Sequence, residues 1–117
     1  MQNYKDLKVW EKGHLFTLEV YQVTKLFPKE ELYGLTSQLR RSAASIPSNI
    51  AEGCGKKTKP EFAHYLNIAL GSANESEYPL ILSKELAYLT KEKFNELFSL
   101  INEVKGMLIS LIAKVRS

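Results

Sequence analysis

The chain has 117 residues, of which 44% are apolar and 25% charged, with one cysteine and a formal net charge of +3. That size and balance describe a single globular domain over residues 1–117, able to bury its own core. A lone thiol, Cys54, excludes an intrachain disulfide and a cysteine-based metal cluster, and it suits a reducing compartment.

The start of the chain, Met1 to Asp6, has no apolar run behind a basic start, so no secretory signal is expected there. No apolar stretch approaches the roughly 18–20 residues that cross a bilayer. The expectation is a cytoplasmic protein that does not enter a membrane. The charge is uneven: residues 1–59 hold ten Lys/Arg against six Asp/Glu, and residues 60–117 hold six against seven. The basic excess gathers at Arg40, Arg41, Lys56, Lys57 and Lys59, a cluster able to attract phosphates or simply to keep a surface solvated.

The first predicted element carries Val9, Gly13, Phe16, Val20, Val23 and Phe27 at alternating steps of four and three. That spacing makes a heptad seam on one helical face, which Leu15, Leu18 and Leu26 are expected to widen. Phe27-Pro28 ends it, because a residue before proline is pushed out of the α region. A second helix is predicted from near Glu31, with Leu35, Leu39, Ala43, Ile46 and Ile50 on one face. Pro47 removes a backbone donor inside it, but the apolar register continues, so the spacing predicts a kink rather than a break. Gly53 and Gly55 close it.

Pro60-Glu61 opens the third helix, with proline in the first turn and an acid near the positive dipole end. Phe62, Leu66, Ala69, Leu70 and Ala73 form its stripe. Pro79 predicts a second kink or a short 3₁₀ turn near residues 76–79, with helix resuming from Leu80 to Leu89. The fourth helix follows Thr90, a plausible N-cap, and carries Phe94, Leu97, Ile101, Val104, Leu108, Leu111 and Val115 at steps of three and four. No segment alternates with period two. Four amphipathic helices on short connections predict an all-α, antiparallel, up-and-down four-helix bundle.

Searches for chemistry find little. There is no phosphate loop, dinucleotide fingerprint or nucleophile elbow, and no catalytic residue or cofactor is assigned. Glu61-Phe62-Ala63-His64 has the Glu-x-x-His spacing of di-iron bundles. Those need two copies and two further glutamates, whereas this chain has one copy, so no metal site is assigned. His14 lies on another helix. Lysines near Cys54 would lower its pKa and a helix C-terminus would raise it. The most unusual segment is Gln38 to Gly53. Arg41, Ser45, Ser48 and Glu52 recur there on one stripe, with Asn49 beside them. Serine and asparagine are poor helix formers, so their concentration predicts a packed polar contact, for instance between subunits. The arginines could instead fork a phosphate.

Several of these residues resemble a known family, the small bacterial four-helix bundle proteins encoded in intervening sequences of 23S ribosomal RNA genes. The likeness starts at Leu7-Lys8-Val9-Trp10 and runs through Tyr33-Gly34-Leu35 and Gln38-Leu39-Arg40-Arg41. Ser45-Ile46-Pro47-Ser48-Asn49-Ile50-Ala51-Glu52-Gly53 is its most specific string, and Glu61-Phe62, Gly71-Ser72 and Glu85-Leu86 follow. Ser76 stands where the family carries a larger apolar residue, and Pro79 where its third helix runs on. The resemblance implies a homopentamer with no assigned catalytic residue. It also extends to the accessory variability determinant of diversity-generating retroelements, which implies RNA or DNA and a reverse transcriptase as partners. By the same resemblance Arg40, Arg41, Lys56, Lys57 and Lys59 are the nucleic-acid contacts. The expected function is therefore a non-enzymatic oligomeric scaffold that binds structured nucleic acid. The alternative is a protein-assembly module in which Ser45, Ser48, Asn49 and Glu52 form a subunit interface.

Overall fold

A computed structural model describes residues 2–117; Met1, the first residue of the expected domain, lies outside them. Four helices follow one another: α1 Lys8–Thr24, α2 Leu35–Cys54, α3 Lys59–Glu85 and α4 Lys91–Arg116. Short 3₁₀ turns at Tyr4–Asp6 and Lys29–Glu31 precede α1 and α2, and no strand occurs among the described residues. Each helix packs on the next and α4 returns to α1, closing a four-helix bundle of 43 × 24 × 20 Å.

One continuous core draws on all four helices, with Phe16, Leu39, Ile46, Ile50, Leu66, Leu80, Leu97, Ile101 and Leu108 among its fully buried side chains. The heptad seams hold through most of α1 and α4 and then slide by one residue. In α1 the last buried position is Thr24, with Val23 only half-buried, and in α4 Ile112 is buried while Leu111 and Val115 are half-buried. A straight helix at 3.6 residues per turn drifts by about 20° per heptad against a 3.5 repeat, which carries the later seam positions off the core. Leu15, Leu18 and Leu26 do not widen the core as expected; they are exposed, and Leu26, at 86%, lies beyond α1, which ends at Thr24 rather than at the expected Phe27. α1 contacts only α2 and α4 among the long helices, so its outer face has nothing to pack against.

α2 begins at Leu35, later than the expected start near Glu31. Glu31 instead sits in the preceding 3₁₀ turn, where its Oε1 accepts the Leu35 N–H at 3.2 Å. Both α2 and α3 run unbroken through their prolines, and no 3₁₀ turn interrupts α3 near Pro79. Pro47 cannot donate to the Ala43 carbonyl, so that acceptor needs another partner. Thr17 of α1 supplies one: its hydroxyl lies 3.0 Å from the Ala43 oxygen and 2.9 Å from the Gly13 oxygen. Gly13 lets α1 come this close, since a Cβ there would lie 3.1 Å from Ile46 Cγ2. Pro79 leaves the Glu75 carbonyl free, but Glu75 is on the exposed side, where water serves.

α2 and α3 pack through small residues. Ser76 is fully buried, and its hydroxyl lies 2.9 Å from Ser42 Oγ and 3.0 Å from the Ser72 carbonyl. Ser72 donates to Ser45 Oγ at 2.8 Å. Ser76, which departs from the family pattern, is thus matched by a serine on the facing helix.

The helix ends are closed by local chemistry. Thr58 accepts the Glu61 N–H at 3.2 Å and donates its hydroxyl to the Glu61 carboxylate at 2.9 Å, a side-chain N-cap that starts α3. Thr90 accepts the Lys93 N–H at 3.1 Å to start α4. α3 ends at Glu85, short of the expected Leu89. Ala87 there adopts φ 64°, and the Tyr88 and Ala87 N–H groups bond back to the Ser83 and Lys84 carbonyls at 2.8 and 2.9 Å. This is a Schellman closure with alanine in the position glycine favours.

Candidate nucleic-acid interface

The five basic residues singled out in the sequence fall in two places. Arg40 and Arg41 lie well inside α2, while Lys56 and Lys57 lie beyond its C-terminus in the turn to α3 and Lys59 is the first residue of α3. The thirteen residues from Arg41 to Cys54 separate the groups by about 20 Å along the helix.

The two arginines also differ in kind. Arg40 is half-buried: its Nε–H donates to Thr24 Oγ1 at 2.8 Å, an Nη–H reaches the Tyr21 carbonyl at 3.4 Å, and the guanidinium lies 4.6 Å from the centre of the Tyr21 ring. It clamps the end of α1 onto α2. Arg41 is exposed and lines a shallow groove between α2 and α3 with Gln38, Ser45 and Glu75. An acid therefore shares the surface that Arg41 offers.

At the turn, Lys56 pairs with Glu52 at 3.2 Å and lies 5.1 Å from the Tyr65 ring centre. The Glu52 hydrogen bond holds its ammonium above the ordinary lysine value. Lys57 and Lys59 are exposed, with no acidic partner within 4 Å among the described residues. They edge a small cleft of about 180 Å³ that also touches Gln2, Cys54 and Phe62. Cys54 is buried there, and burial pushes its thiol pKa up.

Sequence order hid the company these lysines keep. The same end of the bundle gathers the start of α1, the end of α2, the start of α3 and the end of α4. The Gln2 N–H bonds the Cys54 carbonyl at 3.3 Å, and Lys59 and Pro60 share a cleft with Val115 and Arg116. Lys5, Lys8, Lys114 and Arg116 thereby join the turn. Residues 2–11, 51–62 and 113–117 hold seven Lys/Arg against Asp6, Glu11, Glu52 and Glu61, and the rest of the chain holds nine of each sign. The whole net charge therefore sits at this end. Two positive and two negative helix termini meet there, so the macrodipoles largely cancel and side chains set the field. The counts along the chain could have shown a basic stretch at 113–117, with residues 2–11 balanced at two of each sign, but nothing in the sequence says that these segments meet the turn.

The polar stripe divides as well. Asn49 Nδ2 donates to the Ser45 carbonyl at 2.8 Å and to Ser45 Oγ at 2.9 Å, so both residues serve the α2–α3 contact within the chain. Ser48 and Glu52 are exposed. Glu61 is held by the Thr58 hydroxyl at the start of α3 and His64 points out beside Tyr65, while His14 stacks on Trp10 at 5.0 Å. Among the described residues no three His, Cys, Asp or Glu side chains come together as metal ligands, and no helix is long and apolar enough to cross a membrane.

Comparison with known proteins places this arrangement. No curated protein matches the chain. Among solved structures, one crystal structure of a protein of unknown function from Bacteroides thetaiotaomicron, described as S23 ribosomal protein family, superposes with a TM-score of 0.82 and 32% identity. The match covers 89% of this chain and 97% of that one. The profile of the 23S rRNA-intervening sequence proteins matches residues 5–110, from the 3₁₀ turn through most of α4. This chain belongs to the family of 23S rRNA-intervening sequence proteins.

Proposed function

We propose that this protein is a non-enzymatic, oligomeric helical scaffold that binds structured RNA or DNA through a basic surface. One observation carries the reading: the net positive charge is concentrated at one end of the bundle, on exposed side chains without acidic partners. Such a surface attracts a phosphate backbone without requiring base contacts. Association of several copies, as the family resemblance implies, would multiply a modest charge and raise avidity. Leu26 and Tyr33, exposed at 86% and 93%, supply apolar area for that association.

Fluorescence anisotropy with a structured RNA tests it. Affinity should fall steeply between about 50 and 200 mM salt as counterions are released. No binding at the lower salt, or binding indifferent to salt, refutes the reading.

The same exposed Leu26 and Tyr33 favour a second reading, an assembly module with no nucleic-acid role. Light scattering and anisotropy on the unmodified protein separate the two, and Arg41→Glu, which spares the Arg40 clamp, tests whether Arg41 serves assembly. Loss of assembly by light scattering places Arg41 at a subunit contact. Intact assembly without any RNA affinity in the unmodified protein favours the module.

A further inference from the structure

Resting on the nucleic-acid reading, we propose that the end of the bundle is the docking surface, that its ligand is a double-helical phosphate backbone, and that Lys5, Lys8, Lys114 and Arg116 bind it together with Lys57 and Lys59. The arginines of α2 lie outside this surface.

Three features point there. The first is availability. Along the sides of the bundle Lys12 with Glu103, Lys93 with Glu19 and Lys105 with Glu77 join neighbouring helices, Arg40 clamps α1, and the unpaired Arg41 shares its groove with Glu75. At the opposite end Lys25, Lys29 and Lys91 are also unpaired among the described residues, but residues 24–35 and 84–92 there hold four cations against four acids. At the end, all six named cations are exposed and none has an acidic partner within 4 Å among the described residues. A phosphate meeting them displaces water and counterions rather than a carboxylate.

The second is shape. The six come from α1, α3, α4, the 3₁₀ turn before α1 and the turn after α2, so they spread over an end whose Cα cross-section is bounded by 24 × 20 Å. A face of this breadth spans phosphates on both sides of a groove, whereas an extended strand is tracked by a narrow channel.

The third is the state of the aromatic rings. Single-strand binders stack bases on open aromatic faces. Here Tyr4 lies edge-on to Trp10 at 5.0 Å, Trp10 stacks on His14, and the Lys56 ammonium covers Tyr65. The rings near the end are engaged within the protein, which leaves charge as the means of recognition.

The test compares the unmodified protein with Lys5→Gln/Lys8→Gln, Lys114→Gln/Arg116→Gln and Arg41→Gln, each confirmed helical by circular dichroism. Each is titrated by anisotropy with a blunt RNA duplex of about twenty base pairs, longer than the ~16 that a duplex-reading domain spans, and with an oligouridine of equal length. Each duplex phosphate contact adds about 0.9 to the salt slope, so either double variant should flatten it by about 1.8 and weaken binding roughly 60-fold near 0.1 M salt. Arg41→Gln should leave affinity within about twofold, and the duplex should outbind oligouridine. If the unmodified protein binds duplex but both double variants bind within twofold of it, the end-face assignment is wrong and the broader reading stands. Equal or tighter binding of oligouridine, or a larger loss from Arg41→Gln than from either pair, overturns the assignment as well. If the unmodified protein binds neither RNA at low salt, the nucleic-acid reading itself fails and takes this inference with it.

Discussion

Thr17→Val should destabilise the protein through a carbonyl two helices share. Pro47 leaves the Ala43 oxygen without its helical donor, and the Thr17 hydroxyl at 3.0 Å replaces it. Valine keeps the shape and removes the donor. The Gly13 oxygen, 2.9 Å from the same hydroxyl, still has its own helical N–H, so the loss falls on Ala43. An unsatisfied buried acceptor costs about 1–3 kcal/mol, and because this contact is only partly buried we expect about 1–2. With a urea m-value of about 1–3 kcal/mol/M, the midpoint should drop by roughly 0.5–1 M with m unchanged. The decisive measurement is a double-mutant cycle with Pro47→Ala, run at one protein concentration so that self-association stays fixed. Alanine at 47 restores an N–H to the Ala43 carbonyl, so Thr17→Val should cost about 1 kcal/mol less in that background. An equal cost in both backgrounds would show that the hydroxyl does not compensate for the proline.

Gly53→Ala should destabilise by about 1–3 kcal/mol, because its Cβ would lie 3.0 Å from Phe62 Cδ1 and Tyr65 Cβ; Gly71→Ala, with nothing within 4 Å, should stabilise by about 0.5–1 in thermal unfolding. Ala87→Gly should also stabilise, by about 0.5–1 kcal/mol, since φ 64° strains an alanine; no gain in the urea midpoint would argue against strain there. Arg40→Gln should cost about 1–2 kcal/mol through the lost bond to Thr24 and the Tyr21 ring contact, while Arg41→Gln stays within about 0.5, and a reversed order in urea would contradict the clamp. Burial and the Glu31 hydrogen bond raise the Tyr88 pKa above 10.0, and the Glu19 hydrogen bond raises that of Lys93 above 10.5. Both folded values exceed the unfolded ones, so their stabilisation is complete below about pH 10 and is lost as pH rises through the raised values. Unfolding midpoints should hold to that pH and then fall, with a shallower fall in Tyr88→Phe.

Much of the bundle was legible in advance because burial follows helical period. The seam residues Phe16, Val20, Leu39, Ile46, Leu97 and Ile101 are all buried. Leu15, Leu18 and Leu26 are as apolar as their neighbours, yet Leu15 and Leu18 lie on the face of α1 that no helix covers, and Leu26 lies in the turn past its end. The concentration of serine and asparagine in α2 predicts a packed polar contact, for instance between subunits, and for Ser45 and Asn49 a facing serine on α3 supplies one inside the chain.

The basic site divides along the same line. Residue type alone marked Lys57 and Lys59 as cations of a polar connection; both stand exposed, Lys57 in the turn and Lys59 as the first residue of α3. Whether an arginine is free depends on what lies across from it: Thr24 and Tyr21 occupy Arg40, and nothing near Arg40 in sequence announces them.

By itself the sequence determined four helices, their buried faces and a modest positive charge, because propensity, period and ionisation are local properties. Only the tertiary structure decided where that charge lies. Helix lengths and alternating direction carry residues 5 and 8, 57 and 59, and 114 and 116 to one end. A field sums over distance in space, and distance along the chain does not enter it.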